Sequence, residues 1–435
     1  MNRPRTPLSF AIAAFPYLGF VLCFLAAAAG VRSQTAKPTT KSKAKTHVAA
    51  KSTAIPKARL LPTATASQAS VRTGVRPVAL TTTTVARPVM GPKSLPITQP
   101  IIRGGPWTEP TYADSTEGDV IDGEDLEVRR AAVEALGAFN GSVVVVDSTN
   151  GRILAMVNQK TALSAGFQPC STIKVSVALA GLSEKVIQPS TKLRLPGMGK
   201  MDLTYALAHS NNQFFATLGE RLGFQKVAYY SRMFGYGEKA GLNIAGEQPG
   251  RYPAAPPANG GVGMLTSFGE EVLQTPLQLA ALMTAIANGG TMYYLQYPRS
   301  AAEVANFTPQ VKRRLEIGSV IPVVETGMRG AVDFGTAHRA KEDAPLAGKT
   351  GTCSDENHAH LGWFGSYNET GKRKLVVVVL LTGGRPAIGP MAAGIAGDVY
   401  RHLEQQKYFA TQDTATVGAG SSDIASHLVA AQKCE

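Results

Sequence analysis

Residues 170–182 read CSTIKVSVALAGL, and this stretch decides how the rest of the chain is interpreted. Ser171 and Lys174 are three residues apart, so both side chains share one face if a helix begins here. The run VSVALAGL is apolar on every side, which predicts a helix buried at the centre of a domain. Burial disfavours the ammonium form of a lysine, and a neutral amine can take the proton of a serine hydroxyl. The stretch predicts a serine nucleophile with a lysine base, although a helix cap followed by a surface lysine has the same spacing.

A second motif, Ser210-Asn-Asn212, precedes the helix-like segment QFFATLGERLG. Ser210 is expected to pass a proton between Lys174 and a leaving amine. Asn212 has an amide donor and an acceptor, which suit a peptide-like substrate. The alternative is an ordinary helix cap, the commonest use of Ser and Asn at such a place.

A third motif, Lys349-Thr-Gly-Thr352, leads into strand-like sequence. In a strand, Lys349 and Gly351 face one side, and Thr350 and Thr352 face the other. A fixed cation and hydroxyls along a sheet edge can hold a substrate carboxylate, and Gly351 lets a ligand backbone come close. The N–H groups of Ser171 and Thr352 are the expected oxyanion donors. A turn with a solvated lysine is the alternative.

The apolar periodicity predicts an α+β fold. Strands are expected at 142–146, 153–157, 363–367 and 374–382, and helices at 125–138, 175–182, 276–288 and 391–405. The order helix, two strands, a helical block, strands and a final helix indicates an antiparallel sheet with helices on both faces. No HExxH or paired CxxC pattern is present, so neither a metal nor another cofactor is expected.

From about Leu126 to Leu403 the chain resembles the transpeptidase domain of the penicillin-binding proteins. Besides the three motifs, the similar stretches include GSVVVVDSTNGRILAMV, FGYGEKAGLNIAGEQPG, TSFGEEVLQTPLQLAALMTAIANGGT and GWFGSY. The resemblance implies a five-stranded antiparallel sheet flanked by helices, plus an all-helical subdomain. It also implies a D,D-transpeptidase or carboxypeptidase that acts on D-Ala-D-Ala stem peptides of peptidoglycan and binds β-lactam antibiotics. A separate glycosyltransferase is a further implied partner.

By the same resemblance, Ser171 is acylated, Lys174 is the base and Ser210 is the proton shuttle. The substrate-binding residues are then Asn212, Lys349, Thr350, Gly351 and Thr352. Two rival functions stay open: a serine β-lactamase, and a non-enzymatic β-lactam sensor.

Two departures from the family pattern bear on the β-lactamase rival. Cys170 replaces the usual Gly before the serine, and only 13 residues separate Val157 from Ser171. The short approach and the phrase FQPCSTIKVSVALAGL are more similar to class D β-lactamases and their related sensor domains. Against them, class D enzymes usually have Val where this chain has Asn212, and no ExxLN pattern of class A enzymes is found.

The two cysteines that flank the site, Cys170 and Cys353, occupy positions that face each other in this fold. Some class A carbapenemases join them, so the resemblance implies a Cys170–Cys353 disulfide in an oxidising compartment. Two buried free thiols remain the alternative.

The basic charge is concentrated at the N-terminus. The first 108 residues have 15 Lys and Arg and no Asp or Glu, which leaves 29 basic against 31 acidic residues in the remainder. A basic groove for nucleic acid is therefore not expected. The uncharged run 8–31 is long enough to span a bilayer and predicts a single-pass signal anchor with the catalytic domain outside, with cleavage as the alternative. The predicted domains are 1–31 stub and anchor, 32–122 disordered basic linker, 123–408 transpeptidase domain and 409–435 flexible tail.

Overall fold

The computed structural model describes residues 111–354, 360–369, 373–385 and 388–410. The described strands, in chain order, are β1 (Gly141–Asp147), β2 (Ile153–Val157), β3 (Lys192–Leu195), β4 (Gly199–Asp202), β5 (Thr291–Tyr293), β6 (Val311–Arg314), β7 (Leu346–Ser354), β8 (His360–Asn368) and β9 (Leu375–Gly383). Five of them form one antiparallel sheet in the order β2-β1-β9-β8-β7, and β3-β4 and β5-β6 form two small sheets. The order places β7 at an edge of the main sheet.

The described α-helices pack around this sheet. In chain order they are α1 (Leu126–Leu136), α2 (Gln159–Ala162), α3 (Ile173–Ser183), α4 (Leu203–Ala208), α5 (Asn212–Leu222), α6 (Phe224–Met233), α7 (Gly261–Phe268), α8 (Pro276–Ala287), α9 (Ala301–Ala305), α10 (Ile321–Asp333) and α11 (Gly389–Gln405). The consecutive helices α3 to α8 include the predicted helical block. The predicted α+β class is confirmed.

Both faces of the main sheet are buried, which explains its continuous valine runs. Val143 and Val145 pack on the side of α1 and α11, whereas Val144 and Val146 pack on the side of α3 and α8. The alternation follows from the two-residue period of a strand. The sheet is thus a central layer between two helical layers, and β7 carries the third sequence motif along its edge.

Helix α3 lies at the centre of the helical layer. Every residue from Ile173 to Leu182 is buried, as the apolar run predicts. Gly181 lets α5 approach closely, because a Cβ there would lie 2.9 Å from a methyl carbon of Leu218. The packing fixes α3, and with it the serine at its start, relative to the second motif at the start of α5.

The folded part begins upstream of Gly123, where the sequence places the linker boundary. Thr111 and Ser115 are buried, and Asp119 lies 2.7 Å from the buried guanidinium of Arg129 on α1. Composition could not indicate this packing, because it depends on the pairing of one carboxylate with a cation ten residues away. The predicted anchor at 8–31, most of the linker and the tail from residue 411 lie outside the described residues. Within the described ranges, no helix has the length and apolarity needed to cross a bilayer.

Replacing Asp119 by alanine is expected to lower the free energy of unfolding by about 2 kcal/mol. Breaking a buried pair leaves a buried charge without its partner. Arg129 would still contact Glu124 and donate to the carbonyl oxygen of Met156 at 2.8 Å. The decrease in the free energy of unfolding is therefore smaller than for an Arg129 left without any partner. Urea denaturation measures the change. A variant as stable as the wild type would show that the Asp119–Arg129 pair adds nothing to the stability of the folded unit.

Candidate active site

The predicted nucleophile lies in a short 3₁₀ turn, Cys170–Thr172, that leads directly into α3. The turn begins at a left-handed residue, Cys170, with a φ of 52°. It is held by the Thr172 hydroxyl, which donates to the carbonyl oxygen of Pro169 at 2.7 Å. Ser171 is 8% exposed, so its hydroxyl is almost enclosed but still reachable.

Lys174 lies one turn further along α3, and its amine is surrounded by four oxygen atoms. Nζ is 2.9 Å from Ser171 Oγ and 3.1 Å from Ser210 Oγ. It also donates to the carbonyl oxygen of Ser210 at 2.8 Å and to Oδ1 of Asn212. The last two oxygens can only accept, so they occupy two N–H bonds of the amine. In the neutral amine the lone pair is then left to face a hydroxyl.

The surroundings of Lys174 favour this neutral form. The side chain is fully buried, and the neighbouring charge that acts on it is the cation Lys349. Burial, with a smaller contribution from the charge of Lys349, lowers the pKa of Lys174 to about 6. A base with a pKa near neutrality can take a proton from a hydroxyl at physiological pH.

The second motif joins α4 to α5, and its three residues have different contacts. Asn211 is the helix cap, with Oδ1 accepting from the Phe214 N–H at 2.8 Å. Ser210 has a left-handed φ of 54°, and Asn212 is the first residue of α5. Because Asn211 performs the capping, the side chains of Ser210 and Asn212 are available to contact Lys174.

The third motif lies on β7, and its residues alternate between two sides as expected. Lys349 is fully buried, and its Nζ lies 2.9 Å from Ser210 Oγ. Burial lowers the pKa of Lys349 to about 7. Gly351 faces the nucleophile turn, because a Cβ there would come within 2.9 Å of the Pro169 carbonyl oxygen. Ser210 Oγ therefore lies between the two lysine amines.

The two threonines of the third motif contact neighbours on the other side of β7. The Thr350 hydroxyl lies 2.6 Å from the hydroxyl of Thr336, and Thr352 Oγ1 accepts from the Gly389 N–H at 2.8 Å. The Thr350–Thr336 pair places two hydroxyls next to each other, one of them on the residue that follows Lys349. They are suited to a carboxylate, which accepts hydrogen bonds only.

Cys170 and Cys353 are joined in the structure, with their sulfur atoms 1.95 Å apart and their Cα atoms 5.6 Å apart. The bond connects the first residue of the nucleophile turn to the strand that carries Lys349. Two of the three motifs are thereby linked covalently behind Ser171.

Several residues at the site had no signal in the sequence. Thr336 lies outside the three motifs, in the segment that precedes β7. The rings of Phe215 and Phe268 lie 5.8 and 5.9 Å from Lys174 Nζ and keep water from it. Gln274 is fully buried and accepts from the Thr172 hydroxyl at 3.3 Å. These side chains come from separate parts of the chain, so only the fold reveals them.

Residues 141–401 match the family model described as penicillin binding protein transpeptidase domain. Over 326 residues the chain is 26% identical to stage V sporulation protein D of Bacillus subtilis, covering 63% of this chain and 50% of that protein. Over 353 residues it is 25% identical to the peptidoglycan D,D-transpeptidase MrdA of Haemophilus influenzae, covering 62% of this chain and 54% of that protein. The chain thus spans about half the length of these curated relatives. The fold is similar to that of Pseudomonas aeruginosa PBP2, with a TM-score of 0.58 at 22% identity, covering 67% of this chain and 77% of that one.

Proposed function

Because the chain belongs to the family of penicillin-binding protein transpeptidase domains, we propose that it is a peptidoglycan D,D-transpeptidase that works through an acyl-enzyme at Ser171. One observation carries this proposal. Lys174 Nζ lies 2.9 Å from Ser171 Oγ, with its other hydrogen-bonding positions occupied by acceptor oxygens. In that arrangement the lone pair of the buried neutral amine is free to take the serine proton.

In the proposed acylation, neutral Lys174 takes the proton of Ser171 while Oγ attacks the carbonyl carbon of the penultimate D-Ala. A C–O bond forms, and the carbonyl oxygen becomes an oxyanion held by the N–H groups of Ser171 and Thr352. The peptide C–N bond then breaks. The proton passes from Lys174 through Ser210 Oγ, 3.1 Å away, to the leaving nitrogen, and terminal D-Ala departs as an amine.

The second half of the reaction uses the same groups in reverse. An acceptor amine attacks the ester carbonyl, and its proton passes through the Ser210 hydroxyl to Lys174. The ester C–O bond breaks, Ser171 regains its proton, and a new peptide bond joins two strands. Water in place of the amine yields a free carboxylate, so carboxypeptidase trimming follows from the same acyl-enzyme. A β-lactam ring is opened by the first half alone.

The substrate is held along the edge strand β7. We assign its terminal carboxylate to the Lys349 ammonium, whose Nζ lies 2.9 Å from Ser210 Oγ, and to the Thr350 hydroxyl. Gly351 leaves room for a peptide backbone, and an edge strand offers N–H and C=O groups that an extended peptide can pair with. Asn212 is assigned to the substrate's amide groups.

Product analysis tests this proposal. The full-length chain is incubated with a stem pentapeptide, with and without an acceptor amine, and separately with a fluorescent penicillin. We expect a crosslinked peptide when the acceptor is present, and a long-lived penicilloyl adduct that peptide mapping places on Ser171. Rapid turnover of the penicillin would instead show a β-lactamase. An adduct without any reaction of the pentapeptide would show a sensor.

The acylation rate is expected to follow a bell-shaped pH profile. The rising limb lies near pH 6, because only neutral Lys174 can accept the proton and its pKa is about 6. The falling limb lies above pH 7, because Lys349, with a pKa of about 7, must be protonated to hold a carboxylate. The measurement is kcat/KM against pH. A thioester without a carboxylate serves as control and should show only the rising limb.

The wider setting of the enzyme is proposed from the same chemistry. We infer that residues 8–31 anchor the chain in the membrane with the catalytic domain outside, since peptidoglycan is assembled there. Residues 32–110 would be the tether and 411–435 a tail. Stem peptides are presented on glycan strands, so we propose a separate glycosyltransferase as a partner that supplies the substrate.

A further inference from the structure

The hairpin formed by β3 and β4 has an unusual charge arrangement. Arg194 is paired directly with Lys200 across the two strands, and both side chains are exposed. Like charges at directly opposed positions destabilise a hairpin. Lys192 lies on the same face as Arg194, two residues earlier, and Asp202 is its direct neighbour across the strands. Across the described ranges, none of these three cations forms an ion pair with a carboxylate. The Arg194–Lys200 pair thus concentrates positive charge that no ion pair among the described residues neutralises.

An exposed aromatic cluster adjoins this hairpin. The rings of Tyr205 and Phe334 lie on either side of His209, at centroid distances of 4.2 and 5.7 Å. Tyr205 is 51% exposed and Phe334 is 56% exposed. Lys192, Tyr205 and Phe334 line one surface cavity of about 330 Å³, together with the carboxylate-bearing Asp202. The cations and the rings therefore form one continuous surface, named here the hairpin surface, made of Lys192, Arg194, Lys200, Tyr205, His209 and Phe334.

The hairpin surface begins one residue from the proton relay. His209 is bonded to Ser210, and Met198 at the hairpin turn has its sulfur 3.6 Å from Nδ2 of Asn211. In the proposed reaction Ser210 takes the proton of the incoming amine. The acceptor must therefore approach beside Ser210, whereas the acyl donor lies along β7. A large acceptor molecule would extend from Ser210 across the neighbouring surface.

We propose that the hairpin surface binds the acceptor strand of peptidoglycan. Its cations take the carboxylates of the acceptor peptide, and its rings pack against the apolar faces of the sugars. This assignment rests on the proposed function and adds the subsite of the second substrate. It also explains why a destabilising Arg194–Lys200 pair is present, since bound carboxylates would relieve its repulsion.

The variant Arg194→Glu separates this role from a structural one. It replaces repulsion across the hairpin by attraction, so we expect the Tm to rise by about 1 °C. We expect the KM for purified glycan strands as acceptor to rise about tenfold at low ionic strength, and less at high salt. Acylation by penicillin and transfer to a short acceptor amine should stay at the wild-type rate. Arg130→Glu on α1, an exposed position on the opposite side of the sheet, is the control with the same charge change.

A second variant and a binding assay complete the test. Tyr205→Ala should raise the KM for strands without changing its salt dependence. Strand binding by the Ser171→Ala chain, which needs no turnover, should weaken in Arg194→Glu but not in Arg130→Glu. That result would support the hairpin surface even if the chain proved not to be a transpeptidase. If Arg194→Glu and Arg130→Glu have the same KM for strands and bind strands equally, the proposal is overturned. This holds even if the hairpin surface binds some other acidic partner.

Discussion

The Lys174→Ala variant is expected to acylate Ser171 about 10³-fold more slowly than the wild type. Nζ of Lys174 is 2.9 Å from Ser171 Oγ, and no other base contacts that hydroxyl in the part of the chain that the structure describes. Lys349 is the next amine, but its Nζ contacts Ser210 Oγ and the Thr350 carbonyl oxygen instead. Without Lys174 the serine must attack as a neutral hydroxyl, which is a weak nucleophile.

Lys174→Arg distinguishes a base from a mere positive charge. A guanidinium keeps the charge but does not lose its proton in proteins, so this variant should be as slow as alanine. Lys160→Ala, at an exposed position on α2, is the control for loss of a lysine. The measurement is the rate of covalent labelling by fluorescent penicillin, with the Tm of each variant recorded. Labelling by Lys174→Arg at the wild-type rate would remove Lys174 from the role of base.

The structure brings together the side chains that the three motifs predicted to share one site. Ser171, Lys174, Ser210, Asn212 and Lys349 all meet in the structure, because each motif lies at the start of a helix or on an edge strand. Such positions can be inferred from local pattern. The α+β class followed in the same way, since the valine runs and the apolar helices have distinct periods.

Prediction was poorest where a residue's role depends on a neighbour distant in sequence. Thr336 was passed over, because its hydroxyl gains a role only when α10 packs beside β7. The segment before Gly123 was assigned to a linker, because composition does not reveal that Asp119 has a buried partner. The motif alone does not show that Asn211 rather than Ser210 caps α5, since either side chain can cap a helix. Each gap reflects tertiary contacts that override local propensity.

The double variant Cys170→Ser, Cys353→Ser is expected to have a free energy of unfolding about 3–5 kcal/mol lower than the wild type. The reason is that the disulfide closes a long loop in the unfolded chain. The two cysteines are separated by 183 positions, and a long loop loses much entropy when it is closed. Acylation should also slow by about tenfold or more, since Cys170 sets the turn that aims Ser171 and small misplacements of a nucleophile are costly.

Urea denaturation and penicillin labelling measure the two effects of this double variant, and a reductant provides the control. Dithiothreitol should lower the stability of the wild type to that of the variant and leave the variant unchanged. This comparison separates the bond from any effect of the serine side chains, because only the wild type has a disulfide to reduce. A wild type that is unaffected by reductant, with both thiols open to alkylation, would mean that Cys170 and Cys353 are unpaired in solution. In that case the nucleophile turn would be held to β7 by packing, including the close approach of Gly351 to Pro169 and Thr172, and a larger residue at Gly351 should then disturb acylation more than loss of the cysteines does.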